Sequence, residues 1–303
     1  MTMSTSFETL GVIASLTAGL HTIGIETPTP IQARVIPPAL AGKDVIGQSA
    51  TGTGKTLAYL LPVMQKLDTA RRENQVLILA PTHELAIQIQ RRIEEMAKTS
   101  GIPLTAAPII GNVNIERQID KLKEKPHIIT GSSGRILELI QKKKINPQTV
   151  QTIILDEADR LLDDQNLDSV KAVIKTTLRQ RQIMLFSATI PAATLARAKE
   201  FMADPAIITV IGQEKVPEQI SHLYFVSEQR EKIELLRKLT RAMDIRRALV
   251  FVNKGENIDL LVSKLNFHGI PAAGLYGGAE KKTGDRPGRP FKTARQHCCW
   301  PRT

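Results

Sequence analysis

The chain is poor in cysteine. Its only two are adjacent, Cys298 and Cys299, near the end of 303 residues. That pair excludes a disulfide framework and offers no zinc spacing. There is one tryptophan, and aromatics make up 4% of the chain, too few for an interleaved cluster that stacks on nucleic-acid bases. No apolar run approaches the roughly 18 residues of a membrane-spanning helix. The segment Met1–Leu10 is polar and lacks a basic-then-apolar leader pattern. The expectation is therefore a cytoplasmic protein without a membrane partner. Internal repeats and low-complexity tracts are also absent. What remains is an ordinary globular composition, 42% hydrophobic, long enough for one large α/β domain or two smaller ones.

A net charge of +11 points toward nucleic acid, but its distribution matters. Residues 281–303 carry seven Lys or Arg against Asp285 alone, a net of +6, which leaves +5 for the first 280 residues. The basic run Lys142–Lys144 follows a helical pattern, where cations favour the negative helix end and face solvent. His127 and His222 are read as structural or solvent-facing.

From about Leu40 onward, short apolar runs alternate with longer amphipathic stretches. Asp44–Gln48, Gln75–Ala80, His127–Thr130, Thr152–Leu155 and Gln182–Phe186 predict buried strands. Glu84–Thr99 predicts a helix, with Leu85, Ile89, Ile93 and Met96 on one face. This alternation predicts a parallel sheet with helices on both faces. A polar linker at 212–220 separates this unit, residues 1–211, from a second at 221–280. The second has strand patterns at Leu223–Val226 and Ala248–Asn253 and helix patterns at Glu231–Arg241 and Gly255–His268. About three strands before position 280 make it a partial domain.

Two motifs carry chemistry. Ser49-Ala50-Thr51-Gly52-Thr53-Gly54-Lys55-Thr56 directly follows the first strand. A Gly-rich turn there aims successive N–H groups at phosphate oxygens, and the next helix adds its positive end. Lys55 would reach the β/γ phosphates of ATP and Thr56 would hold Mg²⁺. The second motif, Leu155-Asp156-Glu157-Ala158-Asp159, ends a strand about 100 residues later. Asp156 would hold Mg²⁺ through water and Glu157 would orient or deprotonate the attacking water. The plainer alternative is that Asp156 caps the following helix.

In this order the residues resemble the DEAD-box RNA helicases. DEAD itself is present, Gly24–Gln32 (GIETPTPIQ) is similar to their Q motif, and Ser187-Ala188-Thr189 to their SAT motif. Ala248–Asn253 and Gly274–Gly278 resemble early motifs of the second domain, so the resemblance covers about residues 7–280. It implies two RecA-like domains of the P-loop NTPase class, ATP and Mg²⁺ as cofactors, and RNA as partner. It implies that Phe7 stacks on adenine, that Gln32 reads the adenine edge, and that Asp159 with Ser187–Thr189 couples hydrolysis to strand separation. It places sequence-independent RNA-backbone contacts at Pro81, Thr82, Glu84, Gly111, Gly134 and Arg135. Here the chain departs from the family. His83 stands in PTHELA where the family has Arg, Ser132–Arg135 reads SSGR where TPGR is usual, and Asn112 replaces a glycine. A neutral His loses a fixed charge and a bidentate donor, so RNA binding is expected to be weakened or retuned. The hydroxyls of Ser132 and Ser133 are expected to meet phosphate.

Past Lys282 the resemblance stops. No ATD and no His-Arg-x-Gly-Arg segment occurs in residues 281–303. Read one base earlier, the codons for His297–Pro301 encode Leu-Leu-Leu-Ala whatever the codon usage. The residues before and after permit AFQDGKATLLLATD. Residues 281–303 are therefore read as an out-of-frame basic tail. The coding DNA tests this: the alternative frame downstream should carry a His-Arg-x-Gly-Arg pattern.

Overall fold

The computed structural model describes residues 6–111, 114–210, 220–253, 255–274 and 297–301. The chain divides into two compact units, residues 1–214 and 215–303.

The first unit starts with two helices, α1 (Ala14–Thr22) and α2 (Pro30–Leu40). Strands and helices then alternate: β1 (Val45–Ser49), α3 (Lys55–Lys66), β2 (Val76–Leu79), α4 (His83–Ser100), β3 (Ala106–Ile109), α5 (Ile115–Lys123), β4 (Ile128–Gly131) and α6 (Ser133–Gln141). They continue with β5 (Thr152–Asp156), α7 (Ala158–Leu161), α8 (Leu167–Thr176), β6 (Gln182–Ser187), α9 (Ala192–Lys199) and β7 (Ala206–Val210). The seven strands form one parallel sheet in the order β3-β4-β2-β5-β6-β1-β7. Alternation along each central strand sends side chains to opposite faces. Val45, Ile78, Ile154, Met184 and Phe186 enter one core with α1–α4. Ile46, Leu77, Leu79, Ile153, Ile183 and Leu185 enter the other, under α6 and α8. Both faces are covered, which is why the central strands read as unbroken apolar runs.

The five strands read from the sequence are present within one residue of the expected bounds. Two further strands, β3 and β7, are the sheet's edges. β3 contains Pro108, which an edge tolerates and a central ladder does not.

The second unit contains α10 (Lys232–Ala242), β8 (Leu249–Val252), α11 (Glu256–Phe267), β9 (Ala272–Gly274) and β10 (His297–Pro301). Leu223–Val226 is not a strand. Among the described residues it pairs with no strand, and Tyr224 and Val226 are 90% and 92% exposed. The tail also departs from expectation. His297–Pro301, within the segment taken as an out-of-frame basic tail, forms the middle strand of a parallel sheet, order β8-β10-β9. These are the residues whose alternative frame reads as a leucine strand. The linker at 212–219 and Leu275–Gly278 lie outside the described residues, as does Asn112. Among the described residues no helix is long and apolar enough to cross a membrane.

Candidate nucleotide and RNA site

All seven strands point the same way, so the loops leaving their carboxyl ends gather on one side of the sheet. That is where ligands bind in open α/β sheets. The strand order divides these loops into two groups. β5, β6 and β1 are neighbours and deliver the DEAD segment, the SAT segment and the Gly-rich loop. β3, β4 and β2 are neighbours and deliver Gly111, Ser132–Arg135 and Pro81–Glu84.

In the first group, the Gly-rich loop joins β1 to α3. Gly54 precedes the helix with φ 93°, a left-handed conformation that favours glycine. A Cβ there would also lie 2.4 Å from the Gln32 amide nitrogen. Within the loop, Thr53 Oγ1 donates to the Ala50 carbonyl at 2.7 Å and sits 2.6 Å from Ser49 Oγ. Lys55 Nζ donates to the carbonyls of Ser49 (2.5 Å) and Ala50 (2.8 Å). Burial lowers its pKa, opposed by the nearby charges of Asp156, Glu157 and Asp159.

Asp156 ends β5 and is buried. One carboxylate oxygen accepts from Tyr59 Oη at 2.8 Å and the other from the Glu157 N–H at 3.0 Å. Burial raises its pKa; the Tyr59 and Glu157 hydrogen bonds and Lys55 oppose the shift. The residue preceding α7 is Glu157, not Asp156, and it adopts φ 51°, ψ 54°. A non-glycine residue there is unfavourable, and such strain clusters at functional turns. Thr189 Oγ1 donates to Asp159 Oδ2 at 2.8 Å, joining the SAT and DEAD segments directly.

A cavity of about 820 Å³ brings together Thr51, Gly52, Gly54, Lys55, Thr56, Asp156, Glu157, Asp159, Ser187 and Ala188. Motif reading missed Tyr59, which supports Asp156, and the α4 wall of the cavity. Tyr59 lies one helical turn beyond Lys55 and holds Asp156 from below; its spacing was the available signal. Gln88, Arg91 and Arg92 of α4 line the wall, and no local pattern marked them.

Phe7 and Gln32, to which the resemblance gives the adenine contacts, are both engaged by the protein itself. Phe7 is fully buried in the core. It does not line the cavity described above. The Gln32 amide accepts from the Thr29 N–H (2.9 Å) and donates to the Gly54 carbonyl (3.1 Å). It ties the start of α2 to the phosphate loop.

In the second group, Thr82 caps α4, its Oγ1 accepting from the Leu85 N–H at 3.2 Å. Glu84 is exposed, while Pro81, Thr82 and Gly111 are half-buried. Arg135 Nη1 contacts Glu138 Oε2 at 2.7 Å. Ser133 is turned inward: it is buried, with its Oγ 2.6 Å from Ser169 Oγ of α8. Its hydroxyl thus packs between α6 and α8 rather than facing a phosphate. Away from both groups, Lys142 pairs with Glu138 at the end of α6. His127 sits under the sheet, its Nδ1 accepting from the Thr105 N–H at 3.1 Å. Both follow the structural readings given above.

A family profile described as DEAD/DEAH box helicase matches residues 29–198. The chain belongs to this family. It is 40% identical over 258 residues to the probable ATP-dependent RNA helicase YfmL of Bacillus subtilis, covering 85% of this chain and 68% of that protein. It is 38% identical over 273 residues to the DEAD-box ATP-dependent RNA helicase CshA of Bacillus cereus, covering 90% and 52%. The chain thus spans about half to two thirds of the length of these relatives. Among solved structures, Saccharomyces cerevisiae Dbp5 bound to RNA and ADP BeF3 superposes with a TM-score of 0.80 at 26% identity, covering 97% of this chain and 75% of that one. A DEAD box protein from Methanococcus jannaschii gives 0.63 at 28% identity, covering 97% and 80%. The RecA-like, P-loop fold and the type, an ATP-dependent RNA helicase of the bacterial DEAD-box kind, are those of the family.

Proposed function

We propose that one side of the first unit's sheet is divided between two ligands, with nucleotide over β5-β6-β1 and RNA backbone over β3-β4-β2. The observation that carries this reading is the strand order, which gathers the phosphate, acidic and SAT segments on three adjacent strands and the RNA-type loops on the other three. ATP phosphates lie on the N–H groups of Thr51–Thr56, with Lys55 released from its loop carbonyls onto the β/γ oxygens. The oxygen donors Thr56 and Asp156 fit Mg²⁺, a hard cation, with Asp156 acting through water. When bound, that ion neutralises charge on the transferring phosphate. Glu157 orients the attacking water, and Tyr59 holds Asp156 in place. Gln32 reports on the phosphate loop through Gly54. Within the nucleotide half, the Thr189–Asp159 bond links the acidic segment to the SAT segment.

RNA contacts come from Pro81, Thr82, Glu84, Gly111, Gly134 and Arg135 and follow the sugar-phosphate backbone without reading sequence. A soluble, cytoplasmic setting suits this activity. Residues 1–303 contain no His-Arg-x-Gly-Arg segment. A polypeptide of these residues alone therefore binds nucleotide and RNA but hydrolyses slowly and does not unwind duplexes, because an arginine finger contributes on the order of 10³–10⁵ in rate. The test is ATPase turnover of this polypeptide with and without RNA or DNA, beside its nucleotide affinity. Nucleotide binding that Lys55→Ala removes, with weak stimulation by RNA only, is expected. Stimulation by DNA as strong as by RNA, or nucleotide binding indifferent to Lys55, would overturn the reading.

A further inference from the structure

His83 is the first residue of α4, beside the Thr82 cap. Its Nε2 lies 3.1 Å from the Gly111 nitrogen and accepts that N–H. Gly111 leaves β3, the edge strand of the sheet, which pairs only with β4. The contact is close as well as polar. A Cβ on Gly111 would lie 3.1 Å from Nε2 and 3.3 Å from Cε1 of His83.

A ring nitrogen that accepts carries no proton, so in this geometry His83 is a neutral acceptor. An arginine has five N–H donors and no acceptor, so it cannot make this bond. The exchange of Arg for His in PTHELA therefore does more than delete a charge. We infer that His83 is a positioning residue that fastens Gly111, just past the end of β3, to the start of α4. It holds two RNA-facing loops in fixed register in place of one direct phosphate contact. The inference rests on the RNA reading above. Order imposed before binding is order that RNA need not impose on binding. One neutral hydrogen bond corresponds to an effect of about 3- to 10-fold.

Three substitutions separate the acceptor from the charge. His83→Ala removes both ring and acceptor. His83→Gln keeps a neutral acceptor of similar reach. His83→Arg supplies a cation without an acceptor. The readouts are affinity for a single-stranded oligoribonucleotide across salt concentrations, with ADP·BeF3 present, and amide exchange at Gly111 in the 303-residue chain. The Ala variant should bind RNA about 3- to 10-fold more weakly, with faster exchange at Gly111. The Gln variant should restore both. The Arg variant should exchange as fast as Ala, while its salt dependence steepens by about one phosphate contact. Unchanged RNA affinity in the Ala variant, failure of Gln to restore it, or slow exchange in the Arg variant overturns the inference. Arg135→Ala provides the control. If it binds RNA as the wild type does, the RNA reading itself fails; if it weakens binding while His83→Ala does not, only the His83 assignment fails.

Discussion

The two halves of the sheet's ligand side are built to different standards. Over β5-β6-β1, the groups hold one another: Lys55 on Ser49 and Ala50, Tyr59 and the Glu157 N–H on Asp156, Gln32 on Gly54, and Thr189 on Asp159. These lie on central strands, with cores on both faces. Over β3-β4-β2, the loops reach the sheet's edge, and the hydrogen bonds run chiefly to flanking helices: Thr82 with Leu85, Arg135 with Glu138, Ser133 with Ser169 and Gln118 with Ile110, while His83 and Gly111 join two loops. His83 and Ser132–Ser133, where the chain departs from the family pattern, belong to this second half, and Asn112 follows Gly111 in the chain. Phosphoryl transfer needs charges placed to within a fraction of an ångström. Gripping a repeating backbone tolerates substitution, since affinity comes from several similar contacts.

Breaking the scaffold beneath the nucleotide half should cost most. Phe186 of β6 is fully buried, its ring 5.1 Å from that of Tyr59. Phe186→Ala should destabilise the first unit by about 3–5 kcal/mol, measured by chemical denaturation. By contrast Phe251 of β8 is 60% exposed, and Phe251→Ala should stay within about 0.5 kcal/mol. Next is the phosphate grip: Lys55→Ala should weaken nucleotide binding on the order of 100-fold, since it removes charge-assisted hydrogen bonds, while RNA affinity without nucleotide stays the same. Calorimetry with each ligand separately checks both parts. Arg135→Ala should do the reverse, weakening RNA about 10-fold and lowering the salt slope by about one, with nucleotide affinity unchanged.

The smallest effect concerns the start of β4, where His127 meets Thr105 before β3. Burial lowers the pKa of His127 below its ordinary 6.5. The unfolded chain therefore takes up this proton first. The His127 contribution to stability is complete above about pH 6.5 and is lost as pH falls toward the folded value. His127→Gln should flatten this acid slope by less than about 1 kcal/mol, seen in melting temperatures between pH 7 and pH 5. An unchanged slope would remove His127 from the account.

Much of the first unit was legible because its central strands are buried on both faces and bounded by turn residues. The edges were not: Ala106–Ile109 contains small residues and a proline, and Ala206–Val210 is only half-buried. Leu223–Val226 has strand composition, yet composition supplies no partner to pair with. The catalytic motifs were legible because their spacing along the chain maps onto adjacent strand ends. The α4 wall was hidden because tertiary packing alone brings it there, whereas Tyr59 was marked only by its spacing from Lys55 on one helix. The surroundings of Phe7 and Gln32 were not legible for a related reason: a motif names residues but not which of their atoms are already engaged by neighbours. Ser133 teaches the same lesson, since a hydroxyl at a helix start can face inward as readily as outward.

Amide exchange on the 303-residue chain tests the division of the sheet most directly. Mg²⁺ with ADP·BeF3 should protect residues 49–56 and 156–159, and Lys55→Ala should abolish that protection. Single-stranded RNA should instead protect residues 81–84, Gly111 and 132–135. Protection by RNA centred on residues 49–56, or by nucleotide centred on 132–135, would contradict the account.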